Sequence, residues 1–539
     1  MRYIKFIYIF FLYACANIAM PTGGPRDITP PEMVSSNPAS NELNFSGKII
    51  ELTFNEDIKL KDPKEEILIV PTVGKNTTYK VKKKTLFIEP ELGLLPNTTY
   101  SISFRDGVQD ITEGNPAENM RLAFSTGPDI DSLSINGRIK SMFSEKIPEK
   151  ITIALYQTDT FDIFKHSPTY FTKSDKNGVF SLPNLKSDTY FIYAFDDKNK
   201  NLKVDSKTEK NGFLITSIEP LITQDSLEIP LILVDSRPLT LNTIRHTDKA
   251  SRVRFNKQPD LLTIKGISTE QSIYSYGSDR TELIFYHSIK KGDSLKVQLS
   301  ATDSVEYRID TLIYIKSAEI KTIPESFKTT EISQRYNVPT KTYSYTFKYN
   351  KPIASINTDS IYIRYDSITT KTLEPINIKI DTINNEITLH SLVEEIKQEE
   401  KKKSQQLQFI IAKGAIISID ADTLRTITRT IRTFKEDDLG MVAIKVETKQ
   451  KNFIVQLTTS DDQIVQSIGS TKEFTFKYLE PIEYKIRVIV DTNNNGKWDA
   501  GNFHQSREPE KIVLYKSEEG KYSFPIRANW EYGPLLIKF

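Results

Sequence analysis

Short runs in which apolar and polar residues alternate recur along the whole chain, rich in Ile, Thr, Tyr, Phe and Val. Ile49 to Phe54, Tyr100 to Phe104, Ile151 to Tyr156, Tyr190 to Phe195, Leu295 to Leu299 and Tyr484 to Val490 are examples. A period of two sends successive side chains to opposite faces, so each run predicts a strand with one buried and one wet face. Turn residues interrupt the runs at about ten-residue intervals, the spacing of sandwiches built from antiparallel strands. The pattern therefore predicts an all-β chain.

A longer repetition lies above the strands. Phe54-Asn55-Glu56-Asp57-Ile58 is echoed by Phe255-Asn256-Lys257 and by Tyr349-Asn350-Lys351-Pro352-Ile353, each directly after an alternating run. Tyr100 precedes Gly107 by the same seven positions that separate Leu407 from Gly414, and both intervals read as a strand ending in a glycine turn. Three sandwiches of one type are implied, the middle one matched only over its first strand. A second repeat alternates with the first: Phe180, Leu185, Tyr190 and Asp197 recur without a gap as Phe474, Leu479, Tyr484 and Asp491. Each Tyr opens a strand that runs into a turn rich in Asp and Asn. Gly178 is expected to supply the positive φ of a hairpin, and Tyr190 to cover one end of a core with its hydroxyl in water.

These motifs resemble known families. Pro30-Pro31, the strand ending in Phe54-Asn55-Glu56, Leu95-Pro96-Asn97-Thr98-Thr99-Tyr100, Gly107-Val108-Gln109-Asp110 and Phe124-Ser125-Thr126 make residues 30–127 similar to the bacterial Ig-like domain of S-layer and other envelope proteins. Residues 330–437 resemble the same domain more weakly, and residues 237–329 more weakly still. In residues 128–236, Asp175-Lys176-Asn177-Gly178-Val179-Phe180, Leu182-Pro183-Asn184-Leu185 and Thr189-Tyr190 resemble the transthyretin-like module, also known as the carboxypeptidase regulatory-like domain. Residues 438–539 keep that apolar frame without the Asn-Gly hairpin. The resemblance implies a string of five β-sandwiches with junctions near 128, 236, 329 and 437, where few contacts are expected to cross. The whole order, with Arg527-Ala528-Asn529-Trp530-Glu531 near its end, resembles Ig-like-domain lipoproteins of the Bacteroidota, and it implies no enzymatic activity.

The amino-terminal segment fits a lipoprotein. Arg2 and Lys5 precede an uncharged run from Phe6 to Tyr13, the layout of a secretory signal and too short for the roughly 20 apolar residues of a membrane span. Leu12-Tyr13-Ala14-Cys15 resembles the bacterial lipobox, with Tyr13 bulkier than the motif usually carries. Cys15, the one cysteine of the chain, is thus the expected lipid attachment site after a signal peptide of residues 1–14. Residues 15–29, with Pro21, Gly23, Gly24 and Pro25, read as an extended linker. In Bacteroidota lipoproteins, acids close behind the cysteine mark surface export. Here the first acid is Asp27, so the expectation is an outer-membrane anchor facing the periplasm.

Composition narrows the rest. A content of 38% hydrophobic and 26% charged residues over 539 residues is globular and large enough for several cores. With a single cysteine no intramolecular disulfide can form, so stability must come from packing. Lys plus Arg at 72 against Asp plus Glu at 70 leaves +2, which gives no pull toward nucleic acid. The one dense lysine cluster, Lys401 to Lys403, is offset by Glu394, Glu395, Glu399 and Glu400.

Candidate chemistry concentrates in the turn after each Tyr-led strand. Asp491, Asn493, Asn495, the Lys497 carbonyl and Asp499, with Gly496 at the sixth place, match the first nine positions of a calcium loop, in which hard oxygens alternate along a tight bend. The twelfth position is Asn502 where the loop needs a bidentate glutamate. The earlier copy, Asp197, Asn199, Asn201 and Asp205, has Leu202 in place of the glycine. Two readings stay open, weak calcium binding and a turn whose Asp and Asn side chains hydrogen-bond their own backbone. His166, His246, His287, His390 and His504 are scattered singly, and neither H-E-x-x-H nor G-x-S-x-G occurs. Trp498 and Trp530 read as core pillars of the last sandwich or, if exposed, as a partner-binding pair. The expected function is a non-catalytic structural, spacer or protein-binding component of the cell envelope, and no residue pattern identifies a small-molecule substrate; the alternative is an accessory enzyme or carbohydrate-binding protein of the envelope whose site the sequence does not mark.

Overall fold

The computed structural model describes residues 27–539 apart from 118–119, 144–146, 221–223, 269–271, 324, 367, 375–376 and 395–406. Cys15 and the cluster Lys401 to Lys403 lie outside the described residues. Within them the regular structure is nearly all strand, and no helix is long and apolar enough to cross a membrane.

In the first sandwich, Met33–Asn37, Ile50–Phe54, Thr85–Glu89 and Thr78–Lys82 lie side by side in that order, all antiparallel. Leu68–Val70, Thr99–Ser103 and Arg121–Ser125 form the opposing sheet. The alternate residues Ile50, Leu52 and Phe54 of one sheet meet Tyr100, Ile102 and Phe124 of the other, all buried in a single core. The third sandwich repeats the order with Leu241–His246, Ala250–Phe255, Glu282–His287 and Ser272–Tyr276. The fourth repeats it with Thr329–Asn337, Thr342–Tyr349, Glu386–Leu392 and Ile378–Asp381. The middle sandwich, weakest in sequence, thus has the same four-stranded sheet.

The echoed Asn explains what the first repeat holds. Asn55, Asn256 and Asn350 each accept, through Oδ1, the backbone N–H of Glu32, Thr240 and Lys328 at 2.8–2.9 Å. Each also donates its own N–H to the carbonyl of the same residue. One amide side chain therefore closes the opening strand onto its neighbour in all three sandwiches.

The second and fifth sandwiches share another topology. Leu133–Ser141 lies between Val179–Leu185, antiparallel, and Gln224–Leu231, parallel. Gly440–Glu447 lies likewise between Glu473–Leu479 and Glu531–Lys538. The parallel pairs depart from the purely antiparallel expectation; they are possible because the rest of each sandwich serves as the crossover between them. Both copies carry the same bulge, with Asn184 and Tyr478 at φ 58° and 57° just before Leu185 and Leu479. Gly178 takes φ 77° as expected, and Asp175 Oδ1 accepts the N–H groups of Asn177 and Val179 around it.

The tyrosines differ from expectation. Tyr190 is fully buried and its hydroxyl donates to the Lys186 carbonyl at 3.0 Å; Tyr484 does the same to Glu480 at 3.1 Å. A phenol that has a carbonyl four residues back needs no water, so the ring can be withdrawn completely. Burial pushes the Tyr484 hydroxyl up to about 12.

Contacts also cross the junctions. Between the first and second sandwiches, buried Glu66, already paired with Arg105 of its own sandwich at 3.3 Å, meets Lys150 at 2.5 Å, while Lys173 meets Glu65 at 2.7 Å. Burial alone would raise the Glu66 carboxyl, but the two cations hold it below its ordinary value. Asn385 of the fourth sandwich donates to Ser275 and to the Tyr276 carbonyl of the third. The fifth doubles back to pack Ile454, Ile489 and Ile512 against Met142 and Ile232 of the second and Val305 of the third. Local alternation carries no record of such contacts.

Candidate functional site

The two Asp/Asn loops have one hydrogen-bond skeleton. Strand Glu483–Ile489 leads to buried Asp491, whose two carboxylate oxygens accept the N–H groups of Asn495 at 3.0 Å and Gly496 at 2.9 Å. Asn493 Oδ1 accepts the Asn495 N–H, and Asn495 Oδ1 accepts that of Lys497. In the earlier loop Asp197 takes the N–H groups of Asn201 and Leu202, both at 3.0 Å. Asn199 and Asn201 accept from Asn201 and Lys203. Leu202 adopts φ 58°, close to the 77° of Gly496, so the bend forms there without glycine at the cost of a left-handed Leu.

Each loop is shut by a glutamate that the sequence analysis missed. Glu510 accepts the Thr492 N–H at 2.6 Å through Oε1 and the Asp499 N–H at 3.1 Å through Oε2. Glu209 accepts the N–H groups of Lys198 and Asp205, at 3.0 and 2.8 Å. Both carboxylates are buried, and burial raises the Glu209 pKa. The available signal was a Glu-Lys pair just ahead of the next short strand, Glu209-Lys210 before Asn211–Phe213 and Glu510-Lys511 before Ile512–Leu514.

The oxygens of Asp491, Asn493, Asn495, Lys497 and Asp499 are the chemistry that calcium takes, yet the four side chains spend theirs within the loop. Asp499 Oδ2 accepts both amide groups, from Asn493 at 2.5 Å and Asn495 at 2.8 Å. Among the described residues no three His, Cys, Asp or Glu side chains are grouped as a metal would need. Asn502, at the twelfth position, is turned away: its amide donates to the Val305 carbonyl of the third sandwich at 2.7 Å.

Both loops also dock on other sandwiches. Phe503 inserts its ring between Tyr193 and Phe213 of the second, with centroids 5.0 and 5.5 Å away. Lys497 pairs with Asp260 at 2.8 Å and Arg507 with Glu306 at 2.6 Å, both in the third. Trp498 meets Phe143 edge-on at 4.9 Å and donates to the Glu510 carbonyl. In the earlier loop, the Asn201 carbonyl accepts from Lys75 of the first sandwich at 2.8 Å. Neither tryptophan is a core pillar: Trp498 lies in this joint, and Trp530 is 59% exposed beneath Arg527.

Two scattered histidines do come together. Strand pairing sets His246 opposite Ser251, and Ser251 Oγ lies 2.8 Å from His246 Nδ1 and 3.3 Å from His287 Nε2. Burial lowers both imidazole pKa values. Ser251 is fully buried, so no substrate reaches the hydroxyl, and the trio acts as a core polar network.

Residues 27–126 match the bacterial Ig-like domain family. No curated protein matches the chain. Among solved structures it is similar to dimeric latent PorU from Porphyromonas gingivalis at 10% identity and TM-score 0.20, over 54% of this chain and 35% of that one. It therefore spans about a third of that protein. The major pilin subunit BcpA of Bacillus cereus is similar at 8% identity and TM-score 0.13, over 76% of this chain and 98% of that one. The chain thus carries a bacterial Ig-like domain at residues 27–126 within a nearly all-β build.

Proposed function

We propose that the chain is a non-catalytic lipoprotein of the outer membrane, tethered through Cys15, facing the periplasm, and acting as a structural arm that binds other envelope proteins. The observation that carries this reading is the use of the Asp/Asn loops. Residues in and beside these loops join sandwiches, through Asn502, Phe503 and the Lys497 ammonium in one loop and the Asn201 carbonyl in the other. Joints of this kind suit a part that holds a fixed shape. Crosslinking in intact envelopes, followed by capture of the chain, tests it; a chain that crosslinks to no envelope protein sinks the binding role.

The tether has its own test. Cys15→Ser is expected to move the protein from the membrane fraction to the soluble fraction, and wild type to take up labelled fatty acid. A mutant that still sediments with membranes, together with an unlabelled wild type, defeats the anchor.

The loop from Asp491 to Asn502 is also read as a weak calcium site, its amides turning their oxygens inward when the ion enters. By comparison with extracellular calcium modules, the affinity is on the order of 0.1 to 1 mM. Binding to the folded state alone then adds about 1.4 kcal/mol at ten times Kd. Melts of the full chain in several millimolar calcium and in chelator are expected to differ, and Asp491→Ala with Asp499→Ala to remove the difference. Superimposable wild-type melts return the loop to a hydrogen-bonded turn.

A further inference from the structure

A groove of about 510 Å³ runs between the second and fifth sandwiches. One wall is formed by Leu133–Ser141, which contributes Arg138 and Lys140. The other is the strand Ile512–Leu514, with Lys511 before it and Lys516 after it, and Lys538 also lines the space. All five cations are exposed, and Glu228 is the one carboxylate side chain among the described lining residues. Glu228 lies 3.7 Å from Lys140, and Lys538 is paired outside the groove with Glu447 at 3.0 Å. Arg138 and Lys511 have no carboxylate partner among the described residues. The groove is therefore built for negative charge.

Its second property is in the backbone. Ile512–Leu514 is an edge strand, paired on one side with Glu483–Ile489. The bonds from Val490 N–H to the Lys511 carbonyl and from Tyr515 N–H to the Ile486 carbonyl fix which residues face that partner. Antiparallel alternation then turns the N–H and C=O groups of Ile512 and Leu514 the other way, where no described strand pairs with them. Lysines beside an edge commonly guard it against self-pairing. That role accounts for Lys511 and Lys516 but not for Arg138 and Lys140 across the gap.

We propose that the groove takes an extended, acidic segment of another protein, which adds a strand to Ile512–Leu514 and answers the cations with its carboxylates. Only a peptide backbone matches the alternating donors and acceptors of a free strand edge, and only an acidic one suits these walls. An anionic glycan or a phosphate would use the charge and ignore the edge. The proposal rests on the protein-binding reading above and gives it a surface and a partner chemistry.

The probe is a fluorescent octapeptide of alternating Glu and Val, titrated against the full chain by anisotropy. Saturable binding that weakens with salt is expected, with affinity falling about tenfold in Arg138→Glu with Lys140→Glu. Leu514→Pro removes an N–H that faces the groove and none that pairs with Glu483–Ile489, so a loss of about three- to tenfold is expected. Leu514→Ala, which keeps that N–H, is expected to bind within about twofold of wild type. The same peptide N-methylated along its backbone keeps its charge and is expected to bind as poorly as the proline variant allows, a check that needs no mutation. Absence of binding, equal affinities for the methylated and plain peptides, or equal loss in Leu514→Pro and Leu514→Ala overturns the proposal. So does tripolyphosphate or a heparin tetrasaccharide binding as tightly as the peptide, which would make the groove a general anion site. If envelope crosslinking survives Arg138→Glu with Lys140→Glu, the protein-binding reading stands and this groove is excluded as its surface.

Discussion

Lys257→Ala is expected to destabilise the third sandwich by about 3 to 5 kcal/mol, the usual effect of stripping one partner from a buried ion pair. The Lys257 ammonium lies 2.5 Å from Asp303, with side chains 7% and 1% exposed, and also donates to the Asp235 carbonyl at 2.8 Å. Burial disfavours its charged form and lowers its pKa, so the cation is held there by Asp303. Removing it leaves a carboxylate in the core with no counter-charge, and releases the stretch that joins the second sandwich to the third. Lys351, at the same place in the repeat, provides the control. It meets Asp420 and Asp422 at 3.0 and 2.9 Å, but those acids are 45% and 35% exposed and can rehydrate. Lys351→Ala should therefore cost only about 1 kcal/mol. Urea unfolding followed through the earliest transition measures both, and equal shifts for the two variants would rule the account out.

The second large effect is expected on shape. Phe503→Ala combined with Trp498→Ala removes the ring seated among Tyr193, Phe213 and Phe161, and the edge contact with Phe143. Fully buried Phe or Trp truncations cost about 3 to 5 kcal/mol each; these half-buried rings should together lose about that much. The loss falls on a joint and not on a core, so the fifth sandwich should swing away from the second and third while keeping its own fold. Small-angle scattering should show a larger radius of gyration, and proteolysis near 437 should speed up, with the far-ultraviolet spectrum unchanged. A scattering curve identical to wild type would mean that the joint is held elsewhere.

What the sequence disclosed follows the range of the forces involved. Alternation at Ile50, Leu52 and Phe54 is local and direct, and the strands stand where it places them. The echoed Asn55, Asn256 and Asn350 do one local task, which is why three frames of one topology could be inferred even where the middle copy had drifted. Glu209 and Glu510 escaped notice because their distances from Asp197 and Asp491 differ, so no fixed spacing marks them. His246 and His287 flank Ser251 only once strand register is known. The docking of Phe503 was out of reach, since a half-exposed aromatic in a polar loop looks the same whether or not another sandwich receives it.

The unequal spacing has a consequence of its own. Glu209 closes its loop four residues after Asp205, whereas Glu510 closes the same hydrogen-bond skeleton eleven residues after Asp499. The interval between acid and lock is thus a cassette, free to lengthen while its frame stays fixed. In the second copy it carries Asn502, Phe503 and Arg507, the groups that grip neighbouring sandwiches. Exchanging that cassette should redirect which surface the loop grips without unfolding the loop itself, so the skeleton works as a socket into which different latches can be fitted.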